Sequence, residues 1–236
     1  MSSQPTIGVI SFPGSNGDHD ALYAFEHEAG TAVRSIDYRE EGLAGVDAVV
    51  LPGGFSYGDA LRCGAIARFS PVMTAVRSFA EAGGPVLGIC NGFQVLCEAH
   101  LLPGALLRNR SLRFHCYWSY VRFEQTSTPW TSSLTDGDVL RMPVAHGDGA
   151  YFAEDAELRR METNGQIIAR YVDDQGNLSD DVNPNGSVGN IAAICNEQHN
   201  VVGIMPHPER ACSALTGGAD GLRFLRSVLD ATVPVH

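Results

Sequence analysis

The sequence predicts an α/β fold, with a mostly parallel central sheet covered by helices on both faces and a small antiparallel β insertion or edge. Three observations predict it. Short, continuously apolar runs, the mark of strands buried on both faces, alternate with segments of helical periodicity through the first part of the chain. A β-rich stretch from about residue 106 to 172 breaks that rhythm. The chain then returns to apolar strands and closes on an amphipathic helix. No composition shift marks a linker and no repeat or low-complexity tract intervenes, so residues 1–236 are expected to form a single domain.

The elements follow in order. TIGVIS (6–11) reads as a buried strand, after which Leu22, Phe25 and Ala29 recur at helical spacing. Residues 32–36 and 48–51 are further strands. A helix over 71–82 is opened by Pro71 and closed by Gly83-Gly84, and a fourth strand spans 85–89. The middle stretch offers β-rich runs at 117–123, 139–144 and 167–172. Strands at 191–195 and 201–205 precede a last helix carrying Leu222, Leu225, Val228 and Leu229.

Composition excludes some chemistry. The 236 residues carry 16 basic and 27 acidic side chains, a net charge of −11, and every basic residue is arginine. Without lysine there is no amine for a Schiff base and no GxxxxGK[ST] phosphate loop. The acidic balance and arginines scattered along the chain argue against a nucleic-acid surface. A chain of this length buries roughly 70–75% of its extended surface, so neither disulfide nor metal is needed to complete the core. MSSQPTIGVI lacks the charged and apolar regions of a signal peptide, and no apolar run approaches a membrane span, which implies a cytosolic protein with reduced thiols. The six cysteines (63, 90, 97, 116, 195, 212) contain no CxxC pair to suggest a metal.

PVLGICNGFQVL (85–96) carries the densest signal. An apolar strand runs into Gly88-Ile89-Cys90-Asn91-Gly92 and a helix starts at once, the G-x-nucleophile-x-G elbow with cysteine as nucleophile. Unpaired N–H groups at a helix N-terminus favour a thiolate, the reactive form. The other five cysteines read as core packing. A base comes from Gly203-Ile204-Met205-Pro206-His207-Pro208-Glu209, where prolines hold Met205 and His207 out of the helical region. In an extended chain residues two apart face one side, so Glu209 can orient the His207 imidazole. Leu51-Pro52-Gly53-Gly54-Phe55 ends the third strand. There the Gly54 N–H, with that of Asn91 after the nucleophile, can serve a developing oxyanion.

PGG, GxCxGxQ and HPE in this order resemble the class I (triad) glutamine amidotransferases, and the match is closest to the glutaminase subunits of purine biosynthesis. It runs from about residue 6 to 229 and includes FPGSNGD (12–18), LPGGFSYGDALRCGAIARF (51–69), LLPGALLRN (101–109), PVAHGDG (143–149), NPNGS (183–187) and NVVGIMPHPER (200–210). The resemblance implies a flavodoxin-like sheet, Cys90 as nucleophile, His207 as base and acid, Glu209 as its orienter, Gly54 and Asn91 as oxyanion donors, and Gly53 and Gln94 as contacts for glutamine. It implies no cofactor or metal in this chain, with ATP and magnesium in a partner synthetase subunit, and a small accessory subunit besides. Gly17 stands where the family more often has cysteine, and Asp148 where glutamate is usual. Two other readings remain open at this point: a cysteine peptidase or stress-response protein of similar architecture, and a non-catalytic binding subunit. Tyr57, Asp59, Arg62 and His146 have no assigned role.

Overall fold

The computed structural model describes residues 4–232; the first three residues of the N-terminal segment read for targeting lie outside the described residues. Five strands form the parallel half of a nine-stranded sheet: β1 (Thr6–Ser11), β2 (Ala32–Asp37), β3 (Ala48–Leu51), β4 (Val86–Ile89) and β11 (Val201–Ile204). Their spatial order is β2-β1-β3-β4-β11, with every neighbouring pair parallel. β3, β4 and β11 are buried at every residue, as their uninterrupted apolar sequences require.

The sheet continues antiparallel through β10 (Ile191–Cys195), β9 (Ile167–Val172), β6 (His115–Phe123) and β7 (Val139–His146). The antiparallel portion is therefore an edge, larger than the sequence rhythm suggests, and hydrogen-bonded into the main sheet. β7 alternates half-buried and buried residues along its whole length, a strand with one covered face. A separate two-stranded ribbon pairs β5 (Ala105–Leu107) with β8 (Ala150–Phe152).

α1 (Asp18–Tyr23) runs on into a π-helical turn, Ala24–Ala29, which ends at Gly30 in the left-handed region. α2 (Pro71–Glu81) starts on its proline as expected. α3 (Asn91–Glu98) is buried through seven consecutive residues, 91–97. α4 (Asp155–Thr163) was not anticipated from the sequence. Of its nine residues only Met161 is buried, so it has no apolar stripe to read. α5 (Asp220–Thr232) buries Phe224, Leu225 and Val228 on one face.

Because β3, β4 and β11 are adjacent and parallel, the chain leaves all three at the same edge of the sheet. That edge is where open α/β folds bind ligands. The loops after these strands carry Gly53-Gly54, Cys90 and His207 respectively. Cys90 N–H donates to the Ile204 carbonyl at 2.8 Å, and His207 N–H to the Pro143 carbonyl at 2.8 Å.

Candidate active site

Cys90 caps α3 with φ 49° and ψ −102°. A non-glycine residue in this region costs of order 1–3 kcal/mol, and such strain concentrates at functional sites. The elbow is held by close packing at two positions that only glycine permits. A Cβ on Gly92 would lie 2.0 Å from the Leu51 carbonyl oxygen, and one on Gly88 would lie 2.6 Å from Leu96 Cδ1. α3 thus rests directly on β3, and its N-terminus, with the unpaired N–H of Asn91, faces the loop that follows β3.

His207 is 1% exposed and Glu209 5%. The imidazole Nδ1–H donates to Glu209 Oε1 at 2.6 Å, which leaves Nε2 buried and without a hydrogen-bond partner, free to exchange a proton with a reacting group. The chain reaches this pairing by a different path from the one expected. His207 is near-extended (φ −105°, ψ 86°), but Pro208–Arg210 then forms a 3₁₀ turn, and the turn brings the carboxylate back to the ring. Burial disfavours the imidazolium, yet the Glu209 carboxylate, aided by the nearby Cys90 sulfur, outweighs it and raises the His207 pKa above its ordinary value. The Cys90 thiol donates to the Ala145 carbonyl oxygen, with S···O 3.8 Å.

The two glycines of the PGG loop have separate tasks. A Cβ on Gly53 would sit 2.7 Å from His207 Cε1 and 3.6 Å from Cys90 Cβ, so this position adjoins both side chains. Gly54, at φ 146°, packs against residues 14–16, where a Cβ would approach backbone atoms of Gly14, Ser15 and Asn16 at 2.8 Å. Gly54 forms an isolated antiparallel bridge with Ser15. The bridge's hydrogen bonds run from Phe55 N to Gly14 O and from Asn16 N to Gly53 O, so the N–H of Gly54 itself is not spent in it. FPGSNGD is thereby explained as the brace of the Gly53-Gly54 loop, and Gly17 N–H adds a bond to the Gly53 carbonyl at 3.1 Å.

Asn91 and Gln94 tie the loops together through their side chains. Asn91 Oδ1 accepts from Ser56 N–H at 3.0 Å, and Asn91 Nδ2 donates to Gln94 Oε1 at 2.8 Å. Gln94 Nε2 in turn donates to the Asp148 carbonyl at 2.6 Å. Gln94, Cys90, Asp59, Cys63, His146 and Asp148 share a small cavity of about 20 Å³. Across Gly54, Phe55 and Ala145 lies a second cavity of about 60 Å³, reached by His207, Asn16, Phe114 and Arg210.

A model of the CobB/CobQ-like glutamine amidotransferase domain matches residues 4–218. The chain belongs to this glutamine amidotransferase family. It is 60% identical to phosphoribosylformylglycinamidine synthase subunit PurQ of Thermomicrobium roseum, with 97% of each chain covered. To the subunit of the same name from Methanosarcina acetivorans it is 48% identical, covering 95% of this chain and 97% of that one. Among solved structures it is similar to PurLQS from Thermotoga maritima, with TM-score 0.86, 39% identity and coverage of 97% of this chain and 99% of the other.

Within this amidotransferase site the structure also corrects two expectations. Cys63 and Cys116 are not core residues. Cys63 is half-buried on the wall of the cavity that holds Cys90, and Cys116 is exposed. Burial, with Asp59 and Asp148 nearby, pushes the Cys63 thiol up, so it stays protonated beside Cys90. His146, which showed no partner in the sequence, has two. Its Nδ1 pairs with Asn109 Oδ1 at 3.2 Å and its Nε2 lies 3.5 Å from Asn185 Nδ2. Burial and the charge of His207 push its pKa down to about 4. Asn109 falls in LLPGALLRN and Asn185 in NPNGS, so those two stretches are the brace of the HGDG loop. Of the residues left without a role, Asp59 lines the Cys90 cavity, while Arg62 pairs with Glu98 and Tyr57 bonds Ser70, away from the thiol.

Proposed function

We propose that the chain is the glutaminase subunit of a phosphoribosylformylglycinamidine synthase. It hydrolyses glutamine to glutamate and ammonia and passes the ammonia to a separate synthetase subunit. There, with ATP and magnesium, formylglycinamide ribonucleotide becomes formylglycinamidine ribonucleotide in de novo purine biosynthesis. The single observation that carries the reading is the cysteine elbow after β4 beside a buried His207–Glu209 pair after the neighbouring β11, in a chain of this family. A small accessory subunit completes the complex, and the PurLQS assembly of Thermotoga maritima supports that composition. The chain acts as one amidotransferase domain, without cofactor or metal of its own. No helix among the described residues is long and apolar enough to cross a membrane, and the cytoplasm is the proposed location.

Cys90, as thiolate, attacks the side-chain amide carbon of glutamine. The N–H groups of Gly54 and Asn91 donate to the tetrahedral oxyanion, each contributing about 3–4 kcal/mol. His207, carrying the proton taken from Cys90, gives it to the departing nitrogen, and ammonia leaves a glutamyl thioester on Cys90. His207 Nε2 then takes a proton from water, hydroxide adds to the thioester, and glutamate departs as the thiol is restored. Glu209 holds the imidazole with Nδ1 protonated throughout, so that Nε2 is always the exchanging nitrogen. Gly53 and Gln94 border the bound substrate.

Treatment with an electrophilic glutamine analogue followed by mass spectrometry tests this directly. A single adduct on Cys90 is expected, blocked by excess glutamine. Labelling at another residue would overturn the assignment. In the assembled complex Cys90→Ala should abolish glutamine-dependent synthesis and leave synthesis from added ammonia intact.

A further inference from the structure

The arginines differ in how they are held. All but four of the 16 arginines hydrogen-bond through their guanidinium to another group of the protein. The four that do not, among the described residues, are Arg108, Arg110, Arg113 and Arg159. Three of them stand in one loop, LRNRSLRF, residues 107–114, where every residue but Asn109 is exposed. The same loop exposes Leu112 at 71% and Phe114 at 53%. From residue 99 to 123 the chain contains no Asp or Glu, although 27 acidic residues are spread over the rest. The neighbouring Asp148 faces the Cys90 cavity.

This loop is displayed on a rigid frame. Asn109 is fully buried, and its Nδ2 donates to the carbonyls of Arg113 and His146 at 2.8 and 2.9 Å. Backbone bonds run from Asn109 N to Gly147 O, from Arg110 N to Asn185 O and from Leu112 N to Asn109 O, all at 2.8–2.9 Å. Arginine and aromatic side chains are the commonest anchors of protein interfaces, and a locked backbone lowers the entropy lost on docking. The loop also adjoins the chemistry. Phe114 lies 6.5 Å from Phe55, ring centre to ring centre, and both line the cavity that His207 reaches.

We infer that residues 107–114 are a docking surface for an acidic face of the synthetase subunit, with Arg108, Arg110 and Arg113 as its charged contacts and Leu112 as its apolar one. The inference rests on the glutaminase-subunit reading above. Ammonia released beside His207 has to enter the partner, so the partner has to cover this mouth, and a segment with three unpaired arginines and no acidic residue lies beside it. Opposite charge across such a surface sets orientation and speeds association.

The test uses the full chain and its purified synthetase. Dissociation constants are measured at low and moderate salt for the wild type, for Arg108→Glu/Arg110→Glu/Arg113→Glu, and for Arg159→Glu as a control on α4. The triple variant is expected to bind at least tenfold more weakly and to lose most of the salt dependence, with the control unchanged. Its labelling by the glutamine analogue in the isolated subunit should stay within twofold of wild type. Undiminished affinity in the triple variant would overturn the inference, as would an equal loss in the control. If the triple variant docked normally but raised the KM for the ribonucleotide, the loop would instead be a phosphate contact and the docking inference would fail. A wild-type chain that bound no synthetase would defeat the functional reading itself.

Discussion

Gly53 shows how little freedom the reactive groups have. Its missing side chain is what lets the His207 ring lie against the loop, since a Cβ would stand 2.7 Å from Cε1. Gly53→Ala is expected to keep the fold, because the ring and not a strand must yield, and to lower kcat/KM for glutamine on the order of 100-fold, the effect of an ångström-scale misplacement. Steady-state kinetics with a thermal melt separates the two consequences. Glu209 acts on charge rather than shape. Its carboxylate raises the His207 pKa, so the pair stabilises the fold fully below the unfolded value near 6.5 and loses that contribution as pH rises through the higher folded value. Glu209→Gln leaves burial opposed only by the Cys90 sulfur. The variant should lose activity by up to about 10⁴-fold, and melts recorded from pH 6 to 10 should show its stability deficit shrinking toward alkaline pH. The Cys90 elbow and the His207–Glu209 pair could be read from the sequence because the strand-to-helix turn and the double proline are local signals. His146 and Asn109 could not. Each is given its role by a hydrogen bond to a residue 37 positions away, and nothing local to either one announces the other.

At the scale of elements, what was legible depended on burial. The runs 48–51 and 191–195 are strands with the bounds the sequence suggests, because each is buried throughout and therefore apolar throughout. The runs 6–11 and 167–172 match as well, and other strands differ by a few residues at their ends. α4 was silent because helices announce themselves by an apolar face, and this one buries a single methionine. The extent of the antiparallel half was likewise invisible, since pairing between β6, β9 and β10 joins segments far apart in sequence. The α3–β3 contact supplies the sharpest test at this scale. Gly92→Ala would place a methyl group 2.0 Å from the Leu51 carbonyl oxygen, and neither the strand nor the helix backbone can give way cheaply. A loss of about 3 kcal/mol or more is expected in urea unfolding, at the upper end for overpacking. A stability within 1 kcal/mol of wild type would mean that α3 does not bear on β3 as described.

At the scale of the whole molecule, His146 sets one expected response to acid, and the narrowness of the site sets the expected response to a partner. His146 is buried neutral, with its pKa pushed down to about 4. The unfolded chain takes up this proton near 6.5 and the folded one does not, so stability falls as pH drops through that window, by about 2 kcal/mol at pH 5 relative to pH 7. Comparing urea midpoints of wild type and His146→Gln at both values isolates the term, which should vanish in the variant. Closure carries the larger consequence. The cavities at Cys90 and His207, about 20 and 60 Å³, hold one to a few waters and not a glutamine. Their shared wall is Gly54, Phe55 and Ala145, and Phe114 lines one of them, so these residues have to yield for glutamine to seat beside Cys90. A site this narrow in the chain alone would spare glutamine that no acceptor awaits. The isolated chain is therefore expected to hydrolyse glutamine slowly, and saturating synthetase to raise kcat/KM at least tenfold, read by glutamate release without ATP turnover as the limiting step. Full activity in the isolated chain would show that the closed form opens freely, and that docking has no part in admitting substrate.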